Sequence, residues 1–230
     1  MSSAAPLAFF GMRAMAAAGA LTGLLIAGCT SQPAPKPPPT WDGLELVERA
    51  GLDIVYLRPG ASLAAYKRVT LRRAEVSLDS NWMPFKDPVM QSRKVDPNRI
   101  VAAVGEAFDE VLVRELQQHS YDVVAHPDDD VLRVVPAISD LFVKFADSSD
   151  ALMLDTGHMA LVLELRDSMT NAALARVVDR AEAHATDLPV GSAGLKGSDA
   201  AQRILTEWAV TLRTALDRAH TQPPAADVRR

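Results

Sequence analysis

The chain has 230 residues, with 24 Lys and Arg side chains against 29 Asp and Glu and a formal net charge of −5. Clustered basic side chains supply most of the affinity of proteins for nucleic acid phosphates. This modestly acidic sequence has no basic block, so nucleic acid is not an expected partner. The length fits one domain with extensions.

Residues 1–28 have the order of a secretory signal peptide. Arg13 is the one cation of this segment, and residues 14–28 form an uncharged, mostly apolar run. A helix needs about 20 apolar residues to cross the hydrocarbon core of a bilayer, and this run of 15 is shorter. We therefore predict a signal peptide that is removed and not a membrane-spanning anchor.

The tetrad Ile26-Ala27-Gly28-Cys29 resembles the lipobox of bacterial lipoproteins. In that family the cysteine thiol is acylated, and the cysteine becomes the first residue of the mature protein. The resemblance implies lipidation of Cys29 with two or three acyl chains, which hold a protein to a membrane more stably than one chain does. Cys29 is also the only cysteine, so it cannot form an internal disulfide. Because Thr30 follows it, where aspartate commonly means inner-membrane retention, the resemblance implies the outer membrane, with the domain facing the periplasm.

Residues 29–40 contain five prolines, three of them consecutive. Such a tract favours the extended polyproline II conformation, at about 3.1 Å per residue. We expect a tether that holds the domain roughly 30 Å from the bilayer.

The folded part begins with a strand and a helix. Residues 69–78 alternate apolar and polar side chains. The apolar side chains move from odd-numbered to even-numbered positions midway, which indicates a bulge or a bend. Asp96 and Pro97 are typical of a helix start, because aspartate caps free backbone amides and proline at the first helical position loses no hydrogen bond. The apolar residues that follow at helical spacing predict one buried stripe: Ile100, Val101, Val104, Phe108, Val111, Leu112 and Leu116.

Later residues predict more strands and a second helix. Residues 121–125 follow the first helix and end at a turn of residues 126–130. Alternation indicates a strand at residues 131–145 and a β-hairpin of residues 159–166 and 174–183 around a polar turn. The last helix follows a glycine-rich loop, and its apolar stripe includes Trp208.

The predicted element order is β-α-β-β-β-β-α. Each helix has one apolar stripe, so both helices should pack on a sheet. We therefore predict a single α+β domain at residues 41–220, with a mainly antiparallel sheet of four to five strands and two helices packed on it. Residues 221–230 are expected to be a disordered tail.

The tripeptide Asp155-Thr156-Gly157 matches that of aspartic proteases, in which a carboxylate on a tight turn shares a proton with a second carboxylate. The sequence has no second such tripeptide, and His158 stands where that family has a small residue. A turn before the strand at Met159 explains the same residues. An aspartic-type hydrolase that uses Asp155 is the alternative hypothesis, and no catalytic set is predicted.

Two other groups of residues suggest sites. His126 and the three aspartates at residues 128–130 could suggest a metal site, but such a cluster between two strands is typical of a solvated turn, so no metal or cofactor is predicted. Trp82 and Phe85 are bulky residues in a loop that prolines interrupt. They either cover an edge of the core or form a binding patch for a partner.

Several segments of strand and turn resemble the uncharacterised bacterial lipoproteins grouped as domain of unknown function 3313. They are residues 65–69, 121–124, 132–134, 137–140 and 164–168 and the helix around Trp208. The resemblance covers roughly residues 41–219 and brings no assigned activity.

The leading hypothesis is a non-enzymatic binding or adaptor domain, tethered to the outer membrane through lipid on Cys29, whose partner is another envelope protein. It depends on the lipobox, the tether and the lack of a catalytic constellation. A carrier of a hydrophobic ligand is a further alternative, and it would need a deep apolar cavity between helix and sheet.

Overall fold

The computed structural model describes residues 36–48, 51–83, 86, 91, 96–147, 152–184 and 199–221. From Pro37 onward these residues belong to one compact unit, Pro37–Arg230. The predicted signal peptide, Cys29 and Phe85 lie outside the described residues, as does the predicted tail beyond Thr221.

Nine strands, two α-helices and a 3-10 turn make up the described part of the domain. They are β1 (Thr40–Trp41), β2 (Leu44–Val47), β3 (Ile54–Leu57), the 3-10 turn (Leu63–Ala65), β4 (Arg68–Leu71), β5 (Glu75–Leu78), α1 (Pro97–Gln118), β6 (Asp122–Val123), β7 (Val131–Asp147), β8 (Leu152–Asp167), β9 (Ala173–His184) and α2 (Asp199–Thr221). In these residues no helix is long and apolar enough to cross a membrane.

The strands form one mixed sheet in the order β1-β2-β3-β9-β8-β7-β4-β6, and β5 pairs with the later part of β7. The pairs from β1 through β3, β9 and β8 to β7 are antiparallel. β4 and β5 pair with β7 in parallel, as does β4 with β6. A parallel pair needs a crossover connection, usually a helix, and α1 supplies it between β5 and β7.

The α+β class with two helices is confirmed, but the predicted sheet of four to five mainly antiparallel strands is wrong. The described sheet has nine strands and is mixed. The prediction missed β1, β2 and β3 because runs of two to four residues are too short for their periodicity to distinguish strand from loop. It also merged β4 and β5 into one strand at residues 69–78, where the structure has a break between Leu71 and Glu75.

The start of α1 is as predicted. The side chain of Asp96 accepts a hydrogen bond from the backbone N–H of Asn98 at 3.0 Å, and Pro97 occupies the first helical turn. The helix packs closely on β5, since a Cβ on Gly105 would lie 3.3 Å from the carbonyl oxygen of Ala74 and 3.3 Å from Val76.

Both helices pack on the same apolar face of the sheet. Alternate residues of β8, among them Leu161, Leu163 and Leu165, share one buried cluster with residues of α1 and α2. Phe108 of α1 contacts Trp208 of α2 edge to face, with ring centroids 6.1 Å apart. The other alternate residues of β8 and β9 lie on the opposite face, which we call the open face.

The predicted β-hairpin is confirmed as β8 and β9, which pair antiparallel over most of their length. In its turn the backbone N–H of Asp167 donates to the carbonyl oxygen of Ala172, and that of Asn171 donates to the carbonyl oxygen of Asp167. Asn171 adopts a left-handed conformation with φ +60. β8 begins earlier than predicted, at Leu152, so the hairpin is longer than the sequence suggested.

Candidate functional site

A cluster of charged side chains lies on the open face where β8 and β9 pair. Glu164 of β8 is opposite Arg176 of β9 in the sheet register. Arg176 donates to Oε1 of Glu164 from Nε at 2.8 Å and from Nη2 at 2.5 Å. Arg166, two residues along β8, donates from Nε to Oε2 of the same carboxylate at 2.7 Å. One carboxylate therefore binds two guanidinium groups.

The turn between β1 and β2 covers this cluster. The indole ring of Trp41 lies over the guanidinium of Arg176, with Cζ 4.0 Å from the ring centroid, a cation–π arrangement. Asp42 accepts a hydrogen bond from Nη2 of Arg176 at 3.1 Å. Asp42 and Gly43 have φ +54 and +75, as an Asp-Gly hairpin turn requires.

The residues before Trp41 are also bound to the sheet. The hydroxyl of Tyr56 donates to the carbonyl oxygen of Pro38 at 2.9 Å. The backbone N–H of Leu46 donates to the carbonyl oxygen of Pro39 at 2.9 Å. We call residues 38–42 the cap. The predicted tether of residues 29–40 therefore ends sooner than expected, because its last residues are already part of the folded domain.

The covered guanidinium is almost fully buried and incompletely bonded. Arg176 is 6% exposed, and its Nη1 is buried without a hydrogen-bond partner among the described residues. A buried donor left unpaired costs about 1–3 kcal/mol, so such groups call for an explanation. The covering residues are much more open to solvent, with Trp41 42% exposed and the side chain of Asp42 64% exposed.

The electrostatics of the cluster favour binding of charge and not proton transfer. Burial raises the pKa of Glu164, but the hydrogen bonds from Arg176 and Arg166 outweigh it, so the pKa lies below its usual value. Glu164 is therefore ionised at neutral pH, and guanidinium groups do not lose their protons in proteins. The guanidinium groups can therefore hold an anionic group, and neither they nor the ionised Glu164 can act as a general acid at neutral pH.

The predicted patch at Trp82 and Phe85 falls partly outside the described residues, because Phe85 does. Trp82 is 8% exposed, and its indole N–H donates to the carbonyl oxygen of Val143 at 2.8 Å. Trp82 therefore covers an edge of the core, the first of the two roles predicted for it, and does not present a surface. The neighbouring Met83 is 44% exposed.

The tripeptide at Asp155 lies within β8 and not in a turn before it, so the predicted turn is wrong. Gly157 has a packing role there: a Cβ at this position would lie 2.7 Å from the carbonyl oxygen of Phe142. The register of β7 against β8 shifts on both sides of that contact. A glycine where two backbones approach closely accounts for the motif without a catalytic turn.

The acidic turn after His126 is held by an arginine. Arg68 of β4 pairs with Asp128 at 2.7 Å and also with Asp130. These hydrogen bonds hold the pKa values of both carboxyl groups below their usual range. Within the described residues, no three His, Cys, Asp or Glu side chains are placed to hold a metal ion.

A second polar network joins the two helices. The hydroxyl of Tyr121 donates to Asp217 of α2 at 2.8 Å, and Arg213 links Asp217 to Glu115 of α1. Burial, followed by the hydrogen bond to Asp217, raises the pKa of Tyr121. Every carboxylate in this network has a donor, so it stabilises the packing of α1 on α2.

A surface groove of about 630 Å³ runs along α1. Its described lining consists of Asp109, Glu110, Val113, Arg114, Gln117 and Gln118. A carrier of hydrophobic ligands would need a deep apolar cavity between helix and sheet, and this groove lies instead on the exposed side of α1, at Glu110 and Arg114.

Sequence reasoning did not identify Trp41, Asp42 or Arg176. The Asp42-Gly43 pair is a strong hairpin signal, and charged residues alternate with leucines at Glu164 and Arg166. The contact between these segments spans 134 residues of sequence, so no local pattern could indicate it.

Comparisons with known structures give matches at low similarity. The PelC dodecamer from Paraburkholderia phytofirmans is 13% identical, covering 70% of this chain and 95% of that one, with a TM-score of 0.37. The hypothetical protein CT253 from Chlamydia trachomatis is 9% identical, covering 66% and 98%, with a TM-score of 0.42. A minor lipoprotein from Acinetobacter baumannii is 8% identical, covering 66% and 94%, with a TM-score of 0.36.

No curated protein matches the chain. Residues 41–212 match a family described as "Protein of unknown function (DUF3313)", a span that includes Trp41, Glu164 and Arg176. The chain therefore belongs to the DUF3313 family.

Proposed function

We propose that this protein is a lipid-anchored component of the bacterial cell envelope, held at the periplasmic side of the outer membrane, and that its folded domain binds another envelope protein without catalysing a reaction. The observation that carries the proposal is the Arg176 cluster at the point where the tether joins the sheet. A nearly buried cation with an unpaired donor lies there beneath an exposed cover.

The chemistry of this cluster suits recognition. Arg176 presents a planar set of donors that matches a carboxylate, and Arg166 adds a second guanidinium nearby. Glu164 is ionised and paired with both guanidinium groups, so it is not prepared to donate a proton.

The sequence before the domain supports the anchor. Ile26-Ala27-Gly28-Cys29 resembles a lipobox, and the cap begins at Pro38. The chain between lipid and domain is then residues 29–37, a reach of about 28 Å in the polyproline II conformation. A domain on such a tether stays close to the membrane surface and can contact other proteins there.

Intact mass and membrane fractionation of the wild-type protein and Cys29→Ser test the anchor. The proposal predicts that the wild-type chain starts at Cys29, carries added lipid mass and sediments with outer membrane. The Cys29→Ser variant is expected to stay soluble and unmodified. If both proteins are soluble and unmodified, the anchor is wrong and the localisation fails with it.

Photo-crosslinking in intact cells tests the binding role. A photoreactive residue replaces Arg180, which is exposed on the open face of β9, and a matched control replaces Glu106, which is exposed on α1. We expect a discrete protein adduct from position 180 and none from position 106. Lack of any adduct from position 180 under every growth condition tested would contradict the proposal.

A further inference from the structure

We infer that the cap, residues 38–42, is a displaceable plug over a carboxylate-binding site, and that the ligand is an extended segment of the partner with an acidic side chain that pairs with β2 in place of β1. This inference rests on the proposed binding function and names the surface and the kind of segment it takes.

The cap is attached by few contacts. β1 has two residues, both exposed, and pairs with β2 only through Thr40 with Glu45 and Trp41 with Leu44. The two hydrogen bonds to Pro38 and Pro39 are its other backbone attachments among the described residues. A two-residue strand at the edge of a sheet is easily replaced by a longer one.

Removal of the cap changes the charge of the cluster. Asp42 leaves with the cap, and Glu164 then remains as the one carboxylate shared by Arg176 and Arg166. The cluster gains a net positive charge. Nη2 of Arg176 keeps its hydrogen bond to Glu164 but loses the one to Asp42, and Nη1 has no partner among the described residues. A carboxylate from a partner can take the place of Asp42 and also bind Nη1, the donor that the cap leaves unpaired.

The edge of β2 provides the backbone contacts. Leu46 already donates its N–H outward to Pro39, and an incoming strand can accept the same hydrogen bond. This mode, in which a peptide adds a strand to a sheet edge, takes its specificity from side-chain pockets on alternate residues. Two pockets are available here. The ring of Tyr56 forms the floor of the first, where it packs edge to face against Trp41 with ring centroids 5.7 Å apart. The second is the Arg176 site.

The register of the cap defines the segment that fits. The residue opposite Leu44 is Trp41, which covers Arg176, and the next residue is Asp42, which pairs with it. A partner segment that runs antiparallel to β2 therefore needs an aromatic residue followed by an acidic one. The cap acts as an internal competitor with this same pattern, at an effective concentration of order mM.

A peptide of the chain's own residues 37–42 is the probe. It is amidated at its C-terminus and carries a neutral fluorophore at its N-terminus, so the side chain of Asp42 is its one anionic group. Fluorescence anisotropy measures its binding to the full-length lipoprotein in detergent. The proteins compared are wild type, the double variant Trp41→Ala/Asp42→Ala, and Met83→Ala, which truncates a similarly exposed apolar side chain elsewhere.

We expect the double variant to bind the peptide at least about tenfold more tightly than wild type or Met83→Ala, because its own cap no longer competes. A peptide with Asp42→Asn should bind the double variant about tenfold more weakly, since a charge-assisted pair with Arg176 is lost. Arg176→Lys in the double variant should weaken the peptide to a similar extent, because lysine keeps the charge without the two-donor geometry.

Amide exchange gives a second measurement that does not depend on affinity. The N–H of Leu46 should exchange faster in the double variant than in wild type and slow again when the peptide is added. The N–H of Arg58, which donates to Leu174 within the sheet, should not change. Circular dichroism and thermal unfolding confirm that each variant is folded.

Equal binding of the unmodified peptide and the Asp42→Asn peptide would overturn the inference, and so would failure of the double variant to bind either peptide. The peptide comparison requires no change at Arg176, so it decides the matter even if Arg176→Lys does not fold. Because crosslinking at position 180 measures partner binding in cells, a failed peptide experiment beside a successful crosslink would reject the plug and leave the proposed function intact.

Discussion

Gly157→Ala is expected to destabilise the domain, because the added Cβ would lie 2.7 Å from the carbonyl oxygen of Phe142. Overpacking of a tight site costs typically about 1–3 kcal/mol, and a backbone carbonyl in a paired strand cannot move away cheaply. Alanine recovers about 0.5–1 kcal/mol relative to glycine in a strand. Taken at the middle of both ranges, the net loss in the free energy of unfolding should therefore be about 1 kcal/mol.

Gly105→Ala is the matched control. Its Cβ would meet Ala74 and Val76 at 3.3 Å, a closer fit than usual but one in which a valine methyl group can adjust. Alanine also favours the helix by about 1 kcal/mol, so this change should be nearly neutral.

Urea unfolding measures both variants against wild type. With a slope of about 2 kcal/mol per molar urea, Gly157→Ala should lower the midpoint by roughly 0.5 M without changing the slope, and Gly105→Ala should leave it almost unchanged. If Gly157→Ala does not change the urea midpoint, the packing explanation of the tripeptide at Asp155 is refuted and the hydrolase alternative stays open.

Three further predictions concern single side chains. Glu164→Gln should lower the free energy of unfolding at pH 7 by about 1–3 kcal/mol, because it removes the charge that pairs with the buried Arg176 and leaves one acceptor oxygen for two guanidinium groups. The pKa of Glu164 is lowered in the folded state, so its contribution is present above about pH 4.5 and is lost as the pH falls below that. Urea midpoints at pH 7 and pH 3.5 should show the deficit narrowing at the lower pH, and a deficit that grows would contradict the assignment. Asp96→Ala should lower the urea midpoint by an amount equivalent to about 0.5–2 kcal/mol through loss of the helix cap, whereas asparagine at the same position should retain most of the stability. The wild-type protein should show no peptide hydrolysis above background between pH 3 and 7, and Asp155→Asn should show none either. Cleavage by wild type that this substitution abolishes would support the hydrolase hypothesis.

The local features of the chain were predictable because their causes are local. Asp96 caps α1 through the amide two residues later, and the helical stripe from Ile100 to Leu116 lies in the core almost as its spacing indicates. The hairpin of β8 and β9 follows from the alternation of apolar residues on both sides of a polar turn.

The candidate site was not predictable, because it depends on contacts between distant segments. Asp42 and Arg176 are brought together by the antiparallel path from β1 through β2 and β3 to β9. Strands of two to four residues leave little pattern in the sequence, so that path could not be derived. Trp82 shows the same limit, since only its hydrogen bond to Val143 decides between a core residue and a surface patch.

The sequence by itself determined the class of fold, the start of α1, the long hairpin and the lipobox-like tetrad at Cys29. Each of these depends on the spacing of neighbouring residues or on a short motif. The tertiary structure alone decided which strands pair, that Gly157 serves a close contact and that the cap covers Arg176. These depend on side chains and backbones far apart in the chain, whose distances are set by packing of the whole sheet.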